Sequence, residues 1–190
     1  LRIIGRVDNF LTVLVTFFVG VGSLGLYTYI SVVLERVQVD TIPGMWIWGI
    51  GGAVGAFGIG RVLDKVDSSR KLTTIIIVLL AADFALLLLF PSSRMVALVC
   101  LFAWGLLGWS SMAPQQHSML SANPDEGATA VAANASANYL GSAVGSAVGG
   151  LFLPSSTGIL LGALFVVLLG IVCSIGARAL SFLKPRDNEN

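Results

Sequence analysis

Apolar residues run along this chain in six long blocks, at roughly 10–34, 44–63, 71–90, 95–117, 126–152 and 157–182, with short polar breaks between them. Each block is near or above the ~20 residues that an α-helix needs to cross a ~30 Å hydrocarbon core. In lipid the backbone must satisfy its own N–H and C=O groups, so the pattern predicts six transmembrane helices. The fold class expected is an all-α membrane protein, a six-helix bundle over residues 1–183 followed by a polar cytoplasmic tail, 184–190. The breaks carry helix punctuation. Ser68 and Ser69 can cap the third helix, Asn123-Pro124-Asp125-Glu126 predicts the start of the fifth, and Pro154-Ser155-Ser156 marks the turn into the sixth. Pro91–Arg94 and Pro154–Ser156 are so short that the helices they join must be antiparallel neighbours.

The blocks are not equally greasy. The third is rich in Ile and Leu and the sixth in Leu and Val, whereas the first, second, fourth and fifth carry Gly, Ser, Asn, Gln, Tyr and Trp. Polar membrane helices gather around a central pathway and apolar ones outside them, and the order suggests two three-helix units, 1–3 and 4–6. Thr16, Gly20, Ser23, Tyr27 and Ser31 recur at three- and four-residue steps and share one face of the first helix. Trp104, Gly108, Ser111 and Gln115 do the same in the fourth. Tyr27, Ser23, Trp104, Ser111 and Gln115 are therefore cavity-lining candidates, or else small packing residues and interfacial anchors. In the fifth helix Asn134, Asn138, Gly141, Gly145 and Gly149 form a ladder. Glycines at that spacing let a second backbone approach, and asparagine can bond across the contact. Close helix packing is the first reading of Gly141, Gly145 and Gly149; Asn134 and Asn138 add a second, contact with a solute. Gly51, Gly55 and Gly58, beside Gly52, suggest a similar contact in the second helix.

Composition agrees with a membrane setting: 56% of residues are hydrophobic and only 11% charged. Placement of charge says more than its sum. Nine basic residues (Arg2, Arg6, Arg61, Lys65, Arg70, Lys71, Arg178, Lys184, Arg186) fall on one side of the predicted bundle, against Arg36 and Arg94 on the other. The positive-inside rule then makes both ends of this segment and the 61–71 loop cytoplasmic. Asp83 is an acid deep in the third helix; an intramembrane carboxylate costs roughly 3 kcal/mol on insertion scales and is a candidate proton carrier or a neutral hydrogen-bonding group. Cys100 and Cys173 lie within spans and read as packing residues, and His117 stands at the cytoplasmic end of the fourth helix. No nucleophile elbow, zinc-binding His pair or phosphate-binding glycine loop is written in the chain, so no enzyme, cofactor or metal is expected.

The loop Gly60-Arg61-Val62-Leu63-Asp64-Lys65-Val66-Asp67-Ser68-Ser69-Arg70-Lys71 resembles the loop signature of the major facilitator superfamily, matching it at Gly60, Asp64, Lys65, Arg70 and Lys71. Asp67-Ser68-Ser69 departs from the pattern where a tight glycine turn is expected. Trp104–Gly150, with Pro114-Gln115-Gln116 and Ala133–Gly141, is similar to helices 10 and 11 of arabinose-efflux-like and drug:proton antiporters. The resemblance covers essentially the whole chain and implies the C-terminal six-helix half of a twelve-helix transporter. It implies partners too: an N-terminal six-helix bundle, protons, a small organic solute and the lipid of a bacterial inner membrane. Helices one and four would line a cavity, two and five flank it, and the 60–71 loop would gate alternating access. The function expected is proton-coupled efflux of a drug-like or sugar-like solute; the alternative is a non-transporting scaffold or sensor acting as a homodimer.

Overall fold

The computed structural model describes residues 7–183, with side chains through 180. Arg2, Arg6, Lys184, Arg186 and the 184–190 tail lie outside the described residues. The chain folds as α1 (Val7–Val19), a π-helical turn (Gly20–Leu24), α2 (Gly25–Tyr27), α3 (Ile30–Arg36), α4 (Thr41–Leu63), α5 (Ser69–Leu89), α6 (Arg94–Ser110), α7 (Met112–Ala122), α8 (Gly127–Gly149), a 3-10 turn (Gly150–Phe152) and α9 (Ser156–Leu183). Among the described residues, five rods are long and apolar enough to cross a membrane: Val7–Tyr27, α4, α5, Arg94–Ala122 and Ser156–Leu180. The fifth block, α8, has 23 residues but does not reach that apolarity. Its Asn134, Asn138, Gly141 and Gly145 are buried against neighbouring helices, which removes the need for lipid solubility on that face.

Two blocks expected as single helices are interrupted. The first passes through the π turn where Gly20, Gly22 and Gly25 crowd together, and again at Thr28–Tyr29 before α3. Glycine holds the α-helix weakly, and π turns are the usual form in which one extra residue is accommodated. The fourth block bends at Ser111, three residues before Pro114, whose ring nitrogen cannot bond the carbonyl of Ser110. It then continues to Ala122, beyond the expected end. Caps differ as well. Ser68 Oγ accepts from the Lys71 amide at 3.3 Å, as the sequence suggests, and Ser155 Oγ accepts from the Gly158 amide at 3.0 Å. Asn123 does not start the next helix. Its Nδ2 donates to the Met119 carbonyl at 2.8 Å and its Oδ1 accepts from Asn9 at 2.8 Å, so it closes α7 onto α1; Glu126 occupies the N-cap of α8.

The two three-helix units interlock. α4 runs along α6, and α1 with its π turn runs along α8, so the first helix of each unit grips the second helix of the other. α5 and α9 pack on each other and back the assembly. Glycine makes both grips possible. A methyl on Gly51 would strike the Phe102 carbonyl, on Gly55 the Leu106 carbonyl, and on Gly105 the Trp48 carbonyl. Across the other grip, methyls on Gly141 and Gly145 would strike the carbonyls of Phe17 and Val21. Such approach gives dispersion and Cα–H···O contacts that larger residues forbid. A methyl on Gly149 would instead lie 2.5 Å from the Tyr29 ring, and Gly58 faces open space. Gly58 therefore takes no part in the contact expected of it, because it lies on the outer face of α4.

Charge divides by end. Arg36 donates to Thr157 Oγ1 at 2.8 Å at one end of the bundle, where Arg94 opens α6. Arg61, Lys65, Arg70, Lys71 and Arg178 belong to the opposite end.

Candidate functional site

Where the first span, α4, α6 and α8 converge, a cleft of about 110 Å³ opens at the bundle surface. Val19, Ser23 and Leu24 come from the first span, Trp48 from α4, Gly108, Trp109 and Met112 from α6–α7, and Asn138 and Tyr139 from α8. Its back is aromatic. Tyr27 stacks on Trp48 with centroids 4.1 Å apart, and Trp104 and Trp109 meet Trp48 edge-on at 6.1 and 6.4 Å. Phe84 of α5 closes the group against Trp104 at 5.7 Å. Offset and edge-on rings are the preferred aromatic geometries, each worth about 0.5–1.5 kcal/mol beyond area. Gly52 lets the Trp109 indole lie against α4: a methyl there would sit 2.6 Å from Trp109 Cδ1.

Ser23 and Asn138 stand in the cleft wall, while Tyr27 lies behind Trp48. Trp104 has no exposed surface; it donates its indole N–H to Ser23 Oγ at 3.0 Å and so supports the wall from within. Ser111, Gln115 and Asn134 lie buried towards the basic end. There Thr16 Oγ1 is within bonding reach of three oxygens: Thr12 O at 3.2 Å, Asn134 Oδ1 at 2.6 Å and Gln115 Oε1. A hydroxyl has one proton to give. The cluster closes when the Asn134 amide turns its otherwise unpartnered Nδ2 towards Thr16 and the Thr16 proton goes to Gln115. Gln115 Nε2 donates to the Ser111 carbonyl at 2.8 Å. Three helices are thus tied by one side-chain knot directly below the cleft.

Residues of the 60–71 loop separate into two groups. Arg70 donates to Asp8 Oδ2 and the Ala177 carbonyl, both at 3.3 Å, tying α5 to α1 and α9. Gly60, Asp64, Lys65 and Lys71 are exposed at the same end, with Asp64 capping α4 through its backbone N–H to the Gly60 carbonyl at 3.0 Å. Asp83 is buried and points into the bundle, where it shares a hydrogen bond with Cys100 of α6; its Oδ2 has no partner among the described residues. His117 Nδ1 lies 2.7 Å from Ser69 Oγ.

Sequence reading did not single out Trp48, Trp109, Met112 or Tyr139. A signal was present: Trp48 precedes Gly52 by four residues and Gly105 precedes Trp109 by four. In each pair the glycine vacates the space that the facing helix's tryptophan or its carbonyl occupies.

A family model described as Major Facilitator Superfamily matches residues 1–146 of the 190. The chain belongs to that superfamily and is an integral membrane protein of the transporter class.

Proposed function

We propose that this chain forms the C-terminal six-helix bundle of a transporter of the arabinose-efflux or drug:proton antiporter kind, exporting a small organic solute, drug-like or sugar-like, by alternating access. The observation that carries this reading is the cleft. It is concave, lies among the four most polar spans, and joins apolar rings to a few hydrogen-bonding groups, the usual make-up of a solute site. Ser23 and Asn138 touch solute, and Tyr27 and Trp104 hold the aromatic wall. Ser111, Gln115 and Asn134 form the floor that water or solute meets when the basic end opens.

The basic end faces the cytoplasm of a bacterial inner membrane. Its Gly60, Asp64, Lys65, Arg70 and Lys71 latch one conformation against a second, N-terminal six-helix bundle and release it in another. A bias of a few kcal/mol between the two suffices. That second bundle would sit on the outer faces of α4 and α8, where Trp46, Phe57 and Leu140 are exposed. Gly141, Gly145 and Gly149 keep α8 thin enough to rock against the first span. Inward proton flow drives export, with Asp83 as an accessory proton site.

Reconstitution of the native membrane protein into proteoliposomes tests this. An imposed proton gradient should drive solute accumulation that collapses with a protonophore. Saturable solute movement indifferent to the gradient would remove the proton coupling. No solute movement, with oligomer state responding to substitutions in the glycine ladder, would favour a homodimeric scaffold.

A further inference from the structure

Trp48 is only 8% exposed, it lines the cleft, and its indole Nε1–H has no hydrogen-bond partner among the described residues. Its neighbour Trp104, fully buried, has one in Ser23. Burying an amide-like donor without a partner is costly, and such groups in folded proteins are normally satisfied. The residues around it define what could satisfy it. Trp109 and Tyr139 offer exposed ring surface at 49% and 72%. Val19, Leu24 and Met112 are apolar, Ser23 and Asn138 are neutral, and no lining residue is charged.

We infer that the cleft takes an uncharged, planar, ring-bearing compound, and that the Trp48 N–H receives a hydrogen-bond acceptor on its edge. This rests on the cleft being the solute site and selects among the solutes left open above. A sugar would bring many hydroxyls against six apolar or aromatic side chains, leaving most of them unpaired. An organic cation would find ring faces but no carboxylate in the lining, at a depth where an unpaired charge is expensive. A flat neutral ring lies against Trp109 and Tyr139, and its carbonyl or ring nitrogen completes Trp48.

The test is equilibrium binding to the native transporter in nanodiscs. The probes are coumarin, quinolin-2-one and flavone, with naphthalene as a ring lacking an acceptor, and sucrose and tetraphenylphosphonium as the excluded classes. At least one of the three acceptor-bearing rings should bind saturably. Trp48→Phe, which keeps a ring and removes the N–H, should weaken it by about 5–10-fold, the worth of one hydrogen bond. Naphthalene should be unaffected by Trp48→Phe, and Phe165→Leu, on the exposed face of α9, should change nothing. If Trp48→Phe does not fold, the wild type decides: preference for the acceptor-bearing ring over naphthalene supports the inference, and equal affinity overturns it. It is also overturned if no ring binds, if only sucrose or tetraphenylphosphonium binds, or if Trp48→Phe binds coumarin as tightly as wild type. Binding without movement in a counterflow assay would defeat the transport reading and leave this one standing. Movement of sucrose without ring binding would do the reverse.

Discussion

Gly25 and Gly145 meet backbone to backbone: a methyl on Gly25 would lie 2.6 Å from the Cα of Gly145, and one on Gly145 would lie 2.9 Å from the Cα of Gly25. The contact joins α2, just past the π turn, to the middle of the α8 ladder. Neither residue can grow without separating the helices that frame the cleft. Gly145→Ala should therefore cost about 1–3 kcal/mol in stability, as overpacked sites do, while Gly58→Ala should be neutral or slightly stabilising. Thermal unfolding of the two variants in the same detergent reads the difference.

Thr16 at the centre of its knot predicts a non-additive pair. Thr16→Val removes the hydroxyl that Gln115 and Asn134 share and should destabilise by about 0.5–2 kcal/mol. Thr16→Val combined with Gln115→Leu should cost less than the sum of the two, because the stranded amide is gone as well. Strict additivity in a double-mutant cycle would mean that the residues do not share a bond.

Much of this was legible in the chain. Five of the six expected spans follow from apolar length, and the glycine contacts at Gly51, Gly55, Gly141 and Gly145 from four-residue spacing, because both signals are local. Two things were not. Gly58 continues the same spacing yet faces open space, since periodicity names a face but not the point where a partner helix diverges. Asn123 carries a strong N-cap signature, yet its side chain is taken by Asn9 and Met119, one of them more than a hundred residues away. Trp104 shares a stripe with Ser111 and Gln115 but is walled in by Tyr27, Trp48 and Phe84 from three other helices. Such enclosure is a tertiary fact that helical spacing cannot contain.

Asp64 and Arg70 should behave differently although both belong to one loop signature. Arg70 has partners within the bundle, in Asp8 and Ala177, so Arg70→Ala should lower stability as well as transport. Asp64 is exposed, so Asp64→Asn should slow transport with expression and melting unchanged. Normal transport rates for Asp64→Asn would remove its gating role.

Asp83→Asn keeps the shape of the side chain and discards its proton. If Asp83 carries protons, the pH profile of transport should flatten in this variant while solute binding is retained. An unchanged profile would leave Asp83 as a hydrogen-bonding partner of Cys100 alone.

Alternating exposure of the cleft is the central claim, and side-specific labelling tests it most directly. Asn138→Cys, in the native protein with Cys100→Ser and Cys173→Ser, puts a single thiol in the cleft wall among the described residues. A membrane-impermeant maleimide should reach it from each face of the membrane in turn, and added solute should slow labelling from both. Labelling from one face only, at a rate that solute does not alter, would contradict the account.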